Sequence, residues 1–250
     1  MLTIGIKTFC RPHALNECLD ILFSKNNKYY PIIIADDSLP KYKLQNLEII
    51  KKYKTKTSIE VIDLPFDSGL SKGRNSIVSK CDTKYIMILD DSRTFTSELN
   101  ICNMIKFLEE NNYHLFCGVI NSRCGNNRGY CTLFNSIKII NNIINIKTKP
   151  VRKIKSALFN NIYETNIGVN VFIAKTECLK NVKWNDELKI GEHELFFYDF
   201  YKFGYKCVIS YDCNFEQVNN RNYPKDLKKY RDRAYNMYSP SKLIIIHFKN

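Results

Sequence analysis

Two pairs of adjacent acids, Asp36-Asp37 and Asp90-Asp91, each close an apolar run: Tyr30-Pro31-Ile32-Ile33-Ile34-Ala35 before the first and Tyr85-Ile86-Met87-Ile88-Leu89 before the second. Side-by-side carboxylates repel one another unless a cation or the hydroxyls of a ligand compensate. Between the pairs runs Gly69-Leu70-Ser71-Lys72-Gly73-Arg74-Asn75. Its glycines let backbone come close to a ligand, and Arg74 carries the planar fork that meets phosphate in bidentate fashion. The stretch is neither a P-loop nor the G-x-G-x-x-G fingerprint. A third acidic group, Gly191-Glu192-His193-Glu194, opens a helical pattern. Each group also has a purely structural account. Asp91 or Ser92 caps a helix, Arg74 decorates a helix start, and acids at a helix N-terminus complement its dipole.

These residues need elements to hold them. Residues 2–8 are apolar and β-branched, and residues 30–35, 59–64 and 85–89 repeat that texture. Helical spacing separates the runs: Ala14, Leu15, Cys18, Leu19, Leu22 and Phe23 after Pro12, then Leu44, Leu47 and Ile50, then a short helix in 69–81. Strands alternating with helices predict a parallel, doubly wound α/β sheet, whose ligands bind outside the carboxyl ends of the strands. Both acid pairs fall at such ends. The later chain predicts a helix over 99–108, strands at 115–120, 129–135, 168–174 and 205–211, and a hairpin within 136–147 turning at Asn141-Asn142. It also predicts a loop over 147–155, a helix over 192–203 stopped by Gly204, and a basic helix over 226–238.

The 250 residues suffice for one large domain with a sizeable core. A net charge of +13 favours an anionic partner: a nucleotide, a nucleic acid or an acidic membrane surface. None of the ten cysteines forms a C-x-x-C pair, which speaks against zinc. Several lie in apolar runs, where a free thiol packs as a small hydrophobe. With no signal peptide and no apolar stretch near the ~20 residues a membrane span needs, a cytoplasmic setting is expected.

The chain resembles nucleotide-sugar glycosyltransferases of the GT-A fold in family 2. The resemblance runs from Leu2-Thr3-Ile4-Gly5-Ile6-Lys7-Thr8-Phe9-Cys10-Arg11-Pro12 through Ile34-Ala35-Asp36-Asp37-Ser38 and residues 69–75 to Leu89-Asp90-Asp91. Within that group, Lys7-Thr8-Phe9, Ala35-Asp36-Asp37-Ser38 and Gly73-Arg74-Asn75 are similar to the catalytic domain of β-1,4-N-acetylgalactosaminyltransferases. It implies a single GT-A domain, with residues 1–96 as the nucleotide-sugar-binding half and 97–250 as the acceptor and catalytic-base half. Thr8, Phe9 and Arg11 then contact the nucleoside, Asp36 and Asp37 the base, and Gly69, Arg74 and Asn75 the ribose and diphosphate. Asp90 takes the ribose or donor sugar, and Asp91, with Asp90 beside it, a Mn²⁺ or Mg²⁺ ion. Ser92 departs from the D-x-D pattern, which has a third-position carboxylate. A late histidine often completes such a metal site, making His247 a candidate, although a histidine in an apolar strand also has a structural reading. Glu192 is the first candidate for the base that deprotonates the acceptor, followed by His193 and Glu194.

The implied reaction moves a hexose or N-acetylhexosamine from a UDP-linked donor to a hydroxyl of a glycan, glycolipid or glycoprotein, with inversion. Ser92 and His193 also permit a catalytically impaired nucleotide-sugar-binding protein. Arg221, Lys225, Lys228, Lys229, Arg231 and Arg233, interleaved with Tyr223, Tyr230, Tyr235 and Tyr238, permit a nucleic-acid-binding module, a flap over the diphosphate or a solvated face. The basic 147–155 run offers peripheral contact with an acidic acceptor or membrane. A nucleotidylyltransferase is disfavoured because its Gly-rich arginine loop after strand one is absent.

Overall fold

The computed structural model describes residues 1–25, 29–95, 100–124, 127–131, 136–140, 143–147, 149–188 and 192–217. The basic, tyrosine-rich segment and His247 lie outside them. The first half is the predicted alternation: β1 (Leu2–Thr8), α1 (Pro12–Lys25), β2 (Ile32–Asp36), α2 (Pro40–Lys51), β3 (Ile59–Asp63), α3 (Leu70–Lys80) and β4 (Tyr85–Asp90). Every residue of β1 and β2 is buried, as befits strands covered on both faces. Ala14, Leu15, Cys18, Leu19 and Leu22 of α1 supply one cover.

The second half comprises β5 (Arg93–Phe95), α4 (Ile101–Glu110), β6 (Leu115–Cys124), β7 (Asn127–Cys131), β8 (Ser136–Ile140), β9 (Ile143–Lys147), β10 (Arg152–Lys153), β11 (Ile162–Thr165), β12 (Phe172–Lys175), α5 (Thr176–Asn181), α6 (His193–Lys202) and β13 (Cys207–Gln217). One sheet runs through both halves in the order β10-β11-β13-β6-β12-β4-β1-β2-β3, with β5 on β13 and β7 on β6. The strands β4-β1-β2-β3 are mutually parallel, and β12 enters antiparallel between β4 and β6. β8 and β9 pair antiparallel as expected, and the expected turn at Asn141-Asn142 lies outside the described residues.

Four elements lie outside the sequence-based expectations. β5 has three residues, β11 four and α5 six, too short for periodicity to register. β10 falls inside the stretch expected to be a loop, and its pairing with β11 makes it a strand. Gly204 ends α6 with φ 83°, in the left-handed region that favours glycine. No helix among the described residues is long and apolar enough to cross a membrane. Cys10, Cys18, Cys81, Cys102, Cys117, Cys178, Cys207 and Cys213 are free thiols.

Candidate active site

The register of the parallel strands brings the acid pairs to one edge. β1 lies between β2 and β4, with Thr8 opposite Asp36 and Lys7 opposite Asp90. Adjacent strands are about 4.8 Å apart, so the two pairs stand about 10 Å from each other across the end of β1. Two residues of β1 reach to either side. Lys7, 2% exposed, donates through Nζ to the Thr8 carbonyl at 2.8 Å and pairs with Asp37 Oδ1. Thr8 Oγ1 donates to Asp91 Oδ2 at 2.8 Å. A lysine inside an otherwise apolar strand is the sequence signal that would have marked Lys7 as a partner for these acids.

The β2 acids are bonded within the fold. Asp36 accepts from Ser38 N–H at 2.9 Å and from Asn46 Nδ2 at 2.8 Å. Asp37 Oδ2 accepts from Gly69 N–H at 2.8 Å, tying β2 to the start of α3. Gly69 has φ 92°, and a Cβ at Gly73 would lie 2.2 Å from Lys7 Cδ. The two glycines thus serve a turn and the close passage of the lysine stem. After β1 the chain turns through Cys10, at φ 54°, whose N–H donates to Ser38 Oγ at 2.7 Å. Phe9 meets Phe66 with ring centroids 5.7 Å apart, and Phe66 is largely exposed. This aromatic pair borders the acids. Phe66, in the stretch after β3, carries no sequence pattern that would have marked it.

Asp90 and Asp91 differ sharply. Asp91 is fully buried, with Oδ2 on Thr8 and Oδ1 paired with Arg11. Burial pushes its carboxyl up to about 6, against the pull of Arg11 and Thr8 and with a smaller push from Asp90. Asp90 keeps 17% of its side chain exposed and takes Arg74 Nη2 at 3.0 and 3.3 Å on its two oxygens. Packing raises its carboxyl, but Arg74, then Arg93 and Arg11, outweigh this and hold it below the usual carboxylate range.

Arg74 is wholly buried, not a surface arginine. Its Nη1 donates to Glu192 Oε1 at 2.5 Å, and its Cζ lies 5.8 Å from the Trp184 ring centre. Burial opposes its charge, yet Asp90 and Glu192 prevail and hold it above the usual arginine range. Trp184 stacks on Phe196 of α6 at 4.2 Å, fixing the side of α6 from which Glu192 emerges. Asn75 receives Trp184 N–H at 3.1 Å and donates to the Trp184 carbonyl and Asp186 Oδ1, each at 2.7 Å. Asn75 therefore braces the loop before α6. Asn170 Nδ2 donates to Glu192 Oε1 at 3.3 Å. Asn170 was not singled out in the sequence, where only its place between Val169 and Val171 signals it.

Glu192 immediately precedes α6 and is 3% exposed; His193 and Glu194 occupy the first turn. The His193 ring packs edge-on to Phe197 at 5.0 Å, and burial drives its pKa below the usual histidine value. Glu192 is thus joined to Asp90 through one guanidinium, whereas His193 faces the aromatic layer.

The donor set can be tested against a divalent cation. Among the described residues, no three His, Cys, Asp or Glu side chains converge on a metal position. An ion shared with a diphosphate needs only one or two protein carboxylates, the rest of its shell coming from phosphate and water. Asp90 fits that need. Asp91 does not: beyond the end of β4 its side chain turns into the fold, where Thr8 and Arg11 engage both oxygens. With both Asp91 oxygens engaged in this structure, Asp90 is the more accessible of the two carboxylates, and His247 lies outside the described residues.

Comparison with known proteins places the fold and family. Residues 3–164 match the model of glycosyl transferase family 2. The β-1,4 N-acetylgalactosaminyltransferase 2 of Mus musculus is 29% identical over 255 residues, covering 100% of this chain and 45% of that protein. The chain therefore spans less than half of that relative's length. The crystal structure of S. aureus TarS 1-349 in complex with UDP-GlcNAc superposes with TM-score 0.65 at 17% identity, covering 89% of this chain and 59% of the other. The crystal structure of GalNAc-T7 with UDP, GalNAc and Mn²⁺ superposes with TM-score 0.70 at 13% identity, covering 94% and 47%. These likenesses show the GT-A fold.

Proposed function

Because this chain belongs to glycosyl transferase family 2, we propose that it moves an N-acetylhexosamine or hexose from a UDP-linked donor to an acceptor hydroxyl, with inversion. The observation that carries this reading is the single guanidinium of Arg74 joining Asp90, at the nucleotide edge, to Glu192, at the start of α6. A transferase must hold the donor's anomeric carbon and a base for the acceptor in one frame. Positioning of that kind supplies about 7–11 kcal/mol toward the barrier.

In this reading residues 1–96 bind the donor. Phe9 and Phe66 offer ring faces to the nucleobase. Asp36 and Asp37 shape the base-binding edge with Ser38, and Asp90 takes the ribose or donor sugar through its exposed face. Arg11, more than a third exposed beside Asp91, presents cationic charge to the diphosphate. A Mn²⁺ or Mg²⁺ ion held by Asp90 would stabilise charge on the departing diphosphate. That proposal is supported by the Mn²⁺ named in the GalNAc-T7 structure. Residues 97–250 supply the base and the acceptor surface. Glu192 takes the hydroxyl proton as the oxygen attacks. Arg74 stabilises the carboxylate, and His193 closes the apolar side. The acceptor is proposed to be a glycan, glycolipid or glycoprotein.

The deciding experiment pairs calorimetry with a transfer assay on Glu192→Gln. UDP should bind as to the wild type, and transfer should fall by about 10²–10⁴. Near-normal turnover would remove Glu192 from the mechanism. A wild-type chain that fails to bind UDP would remove the donor.

A further inference from the structure

Asn170 lies two residues before β12, whose antiparallel register with β4 sets Phe172 against Ile88. Extending that register by two residues brings Asn170 level with Asp90, at the edge where the acids gather. Its Nδ2 donates to Glu192 Oε1, the oxygen that also accepts from Arg74. A carboxylate oxygen only accepts, so the amide must turn its NH₂ toward Glu192 and its oxygen away. That Oδ1 is buried and has no hydrogen-bond partner among the described residues. Buried acceptors are normally satisfied, so one left open beside the acids at the carboxyl edge of the sheet points to a donor group that arrives with the ligand.

Glu192 is divided in the same way. Both of its side-chain hydrogen bonds among the described residues fall on Oε1, and none of those residues donates to Oε2. We infer that Asn170 does two jobs: Nδ2, with Arg74, pins Oε1 so that Oε2 faces the acceptor hydroxyl, and Oδ1 accepts a hydrogen bond from a hydroxyl or acetamido N–H of the donor sugar. Nothing in the nucleotide-binding motifs assigns this residue. The inference rests on the nucleotide-sugar reading above and names the group that senses the sugar, as distinct from the nucleotide.

The two jobs separate by substitution. Calorimetry measures Kd for UDP, UDP-N-acetylgalactosamine and UDP-N-acetylglucosamine on the wild type, Asn170→Ala and Asn170→Asp, with melting curves to confirm folding. Asn170→Leu, similar in volume but without polar atoms, replaces the alanine variant should that fail to fold. UDP affinity should be alike in all three. In Asn170→Ala the affinity for the better sugar nucleotide, relative to UDP, should fall about tenfold, the loss expected for one hydrogen bond. Asn170→Asp keeps an acceptor oxygen and loses the NH₂, so that ratio should hold while kcat drops at least about tenfold. An unchanged ratio in Asn170→Ala with UDP still bound overturns the sugar contact alone. Undiminished kcat in Asn170→Asp overturns the positioning role alone. A folded wild type that binds no UDP overturns the donor reading and this inference with it.

Discussion

Arg74 and Glu192, 118 residues apart in the chain, meet inside the fold through a 2.5 Å hydrogen bond, and the same guanidinium holds Asp90. One planar cation thereby sets the relation between the end of β4 and the start of α6. An ammonium cannot match that fork, because it is a point charge on a flexible stem.

Arg74→Lys should therefore fail as a conservative change. Either Asp90 or Glu192 loses its partner, and breaking a buried pair costs about 3–5 kcal/mol. Melting temperature should fall, and transfer should drop about 10²-fold or more from misplacement of the base. Thermal denaturation and steady-state kinetics check both. Wild-type values in both would sever the proposed link between the two acids.

The two acids of the second pair should respond differently to metal. If Asp90 holds the ion, Asp90→Asn should lose most of the gain in UDP affinity brought by Mn²⁺, and Asp91→Asn should retain it. Calorimetry with and without a chelator reads this directly. The reverse pattern would make Asp91 the ligand.

Asp91 also predicts a pH dependence of stability in metal-free buffer. Its folded pKa is raised from 3.8 to about 6, so the native state holds the proton more tightly than the unfolded chain does. Its contribution is fully present below about pH 4 and is lost as pH rises through about 6. A shift of this size is worth on the order of 2–3 kcal/mol. Asp91→Asn should remove that slope, and the difference in unfolding free energy between variant and wild type, measured from pH 4 to 7, checks the sign.

Gly73→Ala should perturb the site through Lys7. The new methyl would overlap the lysine stem, whose Nζ is held by Asp37 and the Thr8 carbonyl. Small-to-large changes in packed surroundings cost about 1–3 kcal/mol. Denaturant melts should show that loss, accompanied by weaker UDP binding. A variant as stable and as tight as the wild type would mean that Lys7 has room to move.

The sequence alone determined the strand ends, because the apolar runs and the acids that stop them are local features. It therefore predicted that Asp36-Asp37 and Asp90-Asp91 share one sheet edge, and parallel pairing on either side of β1 is how the fold achieves it. Helical spacing likewise located α1, α2, α3 and α6. What local pattern cannot encode is which way a side chain turns once its strand has ended. Asp90 and Asp91 are chemically identical neighbours, and only packing against Thr8 and Arg11 buries one while the other keeps an exposed face. Arg74 reads locally as a phosphate partner or a helix-start surface residue, because nothing within ten positions predicts Glu192 or Trp184 as its surroundings. Asn170 is invisible for the same reason: its significance is a contact 22 residues away, made when β12 inserts antiparallel between β4 and β6. Burial and partnership are properties of the assembled sheet, and so the chemistry of each acid was decided by tertiary structure.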